Sequence, residues 1–153
     1  MCRIKFMELI EQINSHRYLY LDRLVEATDL LLEIWVDEAR VRSESNLPSE
    51  SSMYGSIETD EFCKRYKIIF DNYVGYSVIN ESFADRAGDD EFTGNLFRKY
   101  TKSSFLDYMS KAAIVGTAED ICESSCKHYE IVSLNQIIDV ATCYEPVIEV
   151  IVA

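Results

Sequence analysis

What the chain lacks narrows what it can be. No apolar run approaches the roughly 20 residues that a membrane-spanning helix needs. With 5 glycines and 2 prolines in 153 residues, it is neither linker-rich nor fibrous. Those glycines are scattered, so no glycine-rich loop is set to cradle a phosphate. Histidine is scarce, with only His16 and His128, and no GxSxG nucleophile motif accompanies them. Positive charge is short relative to negative. Fifteen basic residues face 27 acidic ones, for a formal net charge of −12 and an isoelectric point near 4.5. Binding a phosphate backbone takes a positive footprint, so nucleic acid is disfavoured as a partner, and the same field repels anionic membrane surfaces. It speeds encounter with a basic protein. The ordinary reading of such acidity, solubility alone, stands beside that specific one. No internal repeat recurs at a fixed period.

What is present is core-forming material. The 48% hydrophobic and 12% aromatic content suits one packed domain spanning 1–153. The N-terminal stretch MCRIKFMELIEQ meets Glu8 and Glu11 before any uninterrupted apolar region develops, unlike a signal peptide. The expectation is a soluble, cytoplasmic protein. Cys2, Cys63, Cys122, Cys126 and Cys143 make an odd number without an export signal, which predicts reduced thiols and no disulfide framework.

Ile4, Met7, Ile10 and Ile13, every third residue, predict a short amphipathic N-terminal helix. Leu19 to Val41 reads two ways, as a helix or as a hairpin turning near Ala27-Thr28-Asp29. The hairpin is preferred because the aromatic stretch further on is β-like and needs partner strands. Ser43 to Glu61 carries six serines, five acidic residues and no Lys or Arg, and is expected as an acidic flexible loop over 43–61. Tyr66–Ala84 sets five aromatics among β-branched residues and reads as the central strand pair of the core, with Asp71-Asn72 or Gly75 supplying a turn or bulge. Asp85–Gly94 is a second acidic break, and 96–101 a short strand. Ser104 followed by Asp107 resembles a capping box, opening a helix over about 103–115 that Gly116 stops. Residues 117–125 form a further acidic loop, and Lys127–Ala141 and Val147–Val152 read as an antiparallel strand pair.

Few residues offer chemistry. A hydrolase built on His128, with Glu81, Tyr129 or Glu130, is the enzymatic alternative, and a hydrogen-bonded structural histidine is its simpler rival. Cys122, Cys126 and His128, with Cys143 beyond, could be drawn into a zinc site, but the spacing is loose and small buried thiols account for them. The carboxylate pairs Asp60-Glu61, Asp89-Asp90 and Glu119-Asp120 fall in loops, where solvated side chains are the norm. Asn80-Glu81-Ser82 ends an apolar strand and reads either as a partner-facing triplet or as a turn, the turn being preferred. No cofactor or metal is expected.

The stretch FDNYVGYSVINESFA, then Ser104-Phe-Leu-Asp-Tyr108, His128-Tyr-Glu-Ile131, Ile138-Asp-Val140 and Pro146, resembles a group of small uncharacterised bacterial proteins, over Leu19 to the C-terminus. In size and acidity the chain also resembles the immunity proteins encoded beside bacterial toxins. The resemblance implies no catalytic residues. The expectation is a β-rich α+β fold. It would be a curled antiparallel sheet or a sandwich, with strands near 19–40, 65–84, 96–101 and 127–152 and one main helix. The expected role is a non-enzymatic inhibitor, monomer or homodimer, that occludes a basic toxin or effector. Its candidate contacts are Glu58, Asp60, Glu61, Glu81, Asp85, Asp89, Asp90 and Glu91. A structural or oligomer-forming role is the other alternative.

Overall fold

The computed structural model describes residues 3–41, 56–85, 88–112, 122 and 125–152. The N-terminal helix is present as α1, Arg3–Ser15, the longer of the two α-helices among the described residues. Its buried side is Phe6, Leu9 and Ile13, with Ile10 partly covered, while Met7 is 51% exposed. A strict three-residue spacing drifts around a helix of 3.6 residues per turn, whereas Phe6, Leu9, Ile10 and Ile13 keep to one stripe. That is why the apolar face lies beside the expected one.

The ambiguous segment is a hairpin, β1 (Tyr18–Thr28) and β2 (Leu31–Val41), turning at Asp29-Leu30 with Leu30 at φ 63°. Burial alternates along both arms, Leu19 and Leu21 on one and Leu32, Ile34 and Val36 on the other, which is the pattern of a pleated strand. Within the segment expected as loop, β3 (Ile57–Glu58) pairs with Arg40 and Val41; residues 43–55 lie outside the described ones.

The expected central strand pair is corrected. Its halves are β4 (Arg65–Asp71) and β5 (Tyr73–Asn80), and they belong to different sheets. Asn72, at φ 54°, carries the chain from one sheet to the other, a left-handed position that asparagine tolerates. Gly75 sits at the expected bulge, where the register with the partner strand shifts after Tyr73. A 3-10 turn at Glu81–Phe83 follows. Within the second acidic break, Glu91–Thr93 is a short strand, β6, paired with β7 (Phe97–Lys102).

The second helix, α2, runs Ser104–Ala112; residues 113–121 lie outside the described ones. What read as a single strand from Lys127 is two, β8 (Lys127–Val132) and β9 (Gln136–Thr142), joined by a tight turn. The last strand, β10 (Val147–Ile151), does not pair with them but with β4. All pairings are antiparallel. One sheet runs β1-β2-β4-β10 with β3 on β2; the other runs β5-β9-β8-β7-β6. The fold is therefore β-rich α+β, but neither sheet is strongly curled.

One hydrophobic cluster joins the sheets. Leu32, Ile34, Ile68, Phe70 and Ile148 come from the first, and Phe97, Tyr129, Ile131, Ile138 and Val140 from the second, with α1 adding Phe6, Leu9 and Ile13. Phe70 and Tyr129 meet across it with ring centroids 6.0 Å apart. Two asparagines fasten its margins. Asn14, in the last turn of α1, accepts from the amides of Asn95, Leu96 and Phe97 at 2.8–2.9 Å and donates to the Phe97 carbonyl at 3.0 Å. Gly94 beside it has φ 97°, and a Cβ there would run into the Phe97 carbonyl. Asn135, in the β8–β9 turn, pairs with both backbone groups of Leu21, and the Leu134 amide reaches Leu19 O at 2.8 Å, so this turn caps the outer edge of β1.

Candidate functional site

Alternation along β8 and β9 sends Tyr129, Ile131, Ile138 and Val140 to the shared core and puts His128, Glu130 and Asp139 on the opposite face. The register sets Ser77, Asp139, Glu130 and Arg98 in one row across four strands. Over this face lies α2. The end of the Met109 side chain rests against Gly75, in the space a Cβ would take.

Under the helix stands a Ser–His–Asp line. Ser103 Oγ lies 2.8 Å from His128 Nδ1, and His128 Nε2 lies 2.8 Å from Asp139 Oδ1. Ser103 Oγ also accepts from the Leu106 amide at 2.9 Å, and the Asp139 carboxylate, an acceptor only, takes its bond from Nε2–H. The order of groups is that of a nucleophile, a base and an orienting acid. The surroundings do not suit that chemistry. His128 is 2% exposed, stacked by Tyr100 at 4.1 Å between centroids and flanked by Phe105 at 4.9 Å. The Ser103 oxygen is occupied as the N-cap of α2. The Ser104 amide, where an oxyanion would be received, is held by both Asp90 carboxylate oxygens at 2.9 and 3.1 Å. The line is a fastening that pins the start of α2 to the sheet.

Beside it, Glu130 accepts from Arg98 Nη1 at 2.9 Å and from the Tyr100 hydroxyl at 3.1 Å. Burial, with Glu130 adjacent, pushes that hydroxyl's pKa up to about 12. Tyr129 faces the core, and Glu81 follows β5 at the sheet's far side. Of the groups first paired with His128, Glu130 is taken up by Arg98 and Tyr100, Tyr129 turns to the other face and Glu81 is exposed, while Ser103 and Asp139 bond the imidazole instead. The visible signal for Ser103 was the Ser103-Ser104 pair, where the cap falls one residue earlier than the predicted box. Asp139 needed the register of β8 on β9.

His16 forms a second buried line. Its Nε2 is 2.6 Å from the Tyr66 hydroxyl and its Nδ1 is 3.3 Å from Glu38, which also binds Arg40 and the Lys64 amide. Burial lowers the His16 pKa, against the opposing pull of Glu38, and raises that of Tyr66, so a neutral imidazole accepts from the phenol and donates to the carboxylate.

The cysteines overturn the expectation of reduced thiols throughout. Cys122 and Cys143 are joined in a disulfide, while Cys63 and Cys126 are free. Cys2 lies outside the described residues. Among the described residues no cluster of His, Cys, Asp and Glu could hold a metal, and no helix is long and apolar enough to cross a membrane.

The eight acidic candidates do not form one patch. Glu58, Asp60 and Glu61 lie on and after β3; Glu81 and Asp85 follow β5; Asp89, Asp90 and Glu91 lie at β6, the opposite edge of the same sheet. Asp90 accepts from the Ser104 amide and, at 2.6 Å, from the Ser104 hydroxyl at the start of α2. Asp60 is exposed and accepts from the Phe62 amide within its own loop at 2.9 Å. Glu58, Glu61, Glu81, Asp85, Asp89 and Glu91 are exposed.

At the end of β5 the sequence singled out the polar Asn80-Glu81-Ser82, and the structure adds exposed apolar residues around it. Val78 and Ile79 are 41% and 43% exposed there, and Phe83, on the turn beyond, is 83% exposed. No family model, curated protein or solved structure matches this chain, so the resemblances noted above stand on their quoted motifs alone.

Proposed function

We propose that the chain is a non-enzymatic acidic binding protein, an immunity-type inhibitor that neutralises a basic toxin or effector by covering its surface. The observation that carries this reading is the distribution of charge. Lys67, Arg65, Arg40, Arg98 and Lys99 are each paired, with Glu33, Asp37, Glu38, Glu130 and Glu145. Glu81, Asp89 and Glu91 are exposed and enter no ion pair among the described residues. Every such pair removes one charge of each sign, so pairing leaves the excess of −12 undiminished. A field of that kind steers a cationic partner and is screened by salt. The closed Ser103–His128–Asp139 line supports the same reading, since its hydroxyl and its neighbouring amide are committed to capping a helix. The two sheets act as the frame, sandwich-like around their shared core.

The test is capture from the native cell at low and high salt, followed by association kinetics with the captured protein. A basic partner whose on-rate falls steeply with salt is expected. An acidic partner, or an on-rate indifferent to salt, would overturn the reading.

A further inference from the structure

We propose that the partner-facing element is the C-terminal half of β5, and that its occupant is an extended, lysine- or arginine-bearing segment of the basic partner, added to the sheet as a further strand. This rests on the binding reading above and names its place and mode. Among the described strands β5 has a single hydrogen-bonded neighbour, β9, so its other side is a sheet edge. Main-chain groups on such an edge pair readily with an incoming strand. Of the other end strands, β1 is capped at Leu19 and Leu21 by the turn holding Asn135, β6 is 3 residues long, and β10, though it exposes Val147 and Val150, has α1 against it and Pro146 just before it.

Side chains along the edge fit the anatomy of an interface. Val78 and Ile79 point to opposite faces of the strand, so an added strand gains apolar cover on both. Phe83 is the aromatic anchor, and it is held rather than loose. The Asn80 side chain accepts from the Ser82 amide at 3.0 Å, and the Glu81 amide reaches Asn135 O at 3.3 Å. Charge selects the occupant. From Asp71 to Asp85 the sequence has no Lys, Arg or His, and Glu81 stands exposed between the apolar residues and the anchor. Near the start of β5, Glu26 accepts from the Tyr76 hydroxyl at 2.9 Å and adds to the same field. A second copy is a poor occupant, because two chains at −12 would bring Glu81 edges together.

The probe is a fluorescent peptide of alternating lysine and valine, titrated into the isotope-labelled full chain, with an alternating glutamate and valine peptide as control. Saturable binding that weakens with salt is expected, with amide shifts centred on Val78–Phe83. Phe83→Ala should weaken it about fivefold or more, as loss of an aromatic anchor does, and Glu81→Lys should weaken it too. Both positions are exposed, so the variants keep their fold, which circular dichroism verifies. Shifts centred on Glu58–Glu61 or Asp89–Glu91 would overturn the edge while leaving an acidic binding protein standing. Absence of binding, or equal binding of the glutamate peptide, would overturn the edge site outright, and the capture experiment then judges the wider reading independently. Concentration-dependent dimerisation through the same amides would replace the basic strand by a second copy.

Discussion

The Cys122–Cys143 bond makes a quantitative prediction. It links the segment before β8 to the end of β9 across a sequence separation of 21. Closing a loop of that length removes denatured-state entropy worth about 3 kcal/mol at room temperature. In a domain of this size each kcal/mol moves the melting temperature by a few degrees, so the loss amounts to roughly 6–12 °C. The perturbation is Cys122→Ala with Cys143→Ala, compared with the wild-type chain in reductant and out of it, and the assay is thermal unfolding followed by circular dichroism. Both reduction and the double variant should lower the melting temperature by the same amount. Cys126→Ala is the control that matters. Lys127 pairs with Thr142, which brings Cys126 beside the end of β9, and burial raises its thiol pKa and keeps it protonated. Its removal should shift melting by no more than about 2 °C, as single substitutions outside a core do. Alkylation of Cys122 and Cys143 in the native chain without reductant would refute the bond. An unchanged melting temperature in the double variant would refute the entropic account of it.

Asn14→Ala leaves three amides and a carbonyl of the β6–β7 turn without their partner and should cost roughly 2–4 kcal/mol in urea unfolding. Arg98→Met removes the cation paired with Glu130, whose side chain is 9% exposed, leaving the carboxylate with the Tyr100 hydroxyl, and should cost about 3 kcal/mol, much of it recovered when Glu130→Leu is added, as a double-mutant cycle would show. His16 titrates lower in the folded chain than its ordinary 6.5, so the unfolded chain binds more protons and stability is full above that pH and lost as pH falls below it. Urea midpoints measured from neutral pH downward should trace this loss, and His16→Gln should flatten it until Glu38, whose carboxyl Arg40 and the Lys64 amide hold below its usual range despite burial, begins to protonate.

Periodicity made the strands legible, and what it could not convey was which strands become neighbours. The alternation at Ile68 and Phe70 announced β4, and the glycine and asparagine after it announced a turn and a bulge. A turn residue at positive φ serves a hairpin and a crossing between sheets alike, so Asn72 could not tell the sequence reader that β4 and β5 part company. The same limit explains β10, which pairs with β4 across more than 70 residues of chain rather than with the strand just before it. The polar site was hidden for a related reason. His128 drew notice as a rare residue, but Asp139 and Ser103 reach it only through register and through the docking of α2. Asn14 looked like an ordinary polar residue at a helix end, because the amides it gathers lie more than 80 positions away. Neither the number of cysteines nor the compartment they suggest says whether Cys122 and Cys143 lie within bonding reach, which the fold alone decides.

An exposed apolar edge such as Val78–Ile79 is a liability before it is a site, since any second sheet edge can join it. Proteins commonly blunt such edges with lysine or proline. Here neither residue occurs between Asp71 and Asp85, and the blunting falls to negative charge, from Glu81 locally and from the whole −12 surface at longer range. Repulsion of that origin is directed. It acts against copies of this chain and other acidic proteins, and it turns to attraction for a strand carrying cations. On the proposed reading, the device that keeps the open edge from self-association is therefore also what selects its partner. Raising salt would weaken both effects together, so that self-association should appear at the ionic strength at which binding of the basic strand fades.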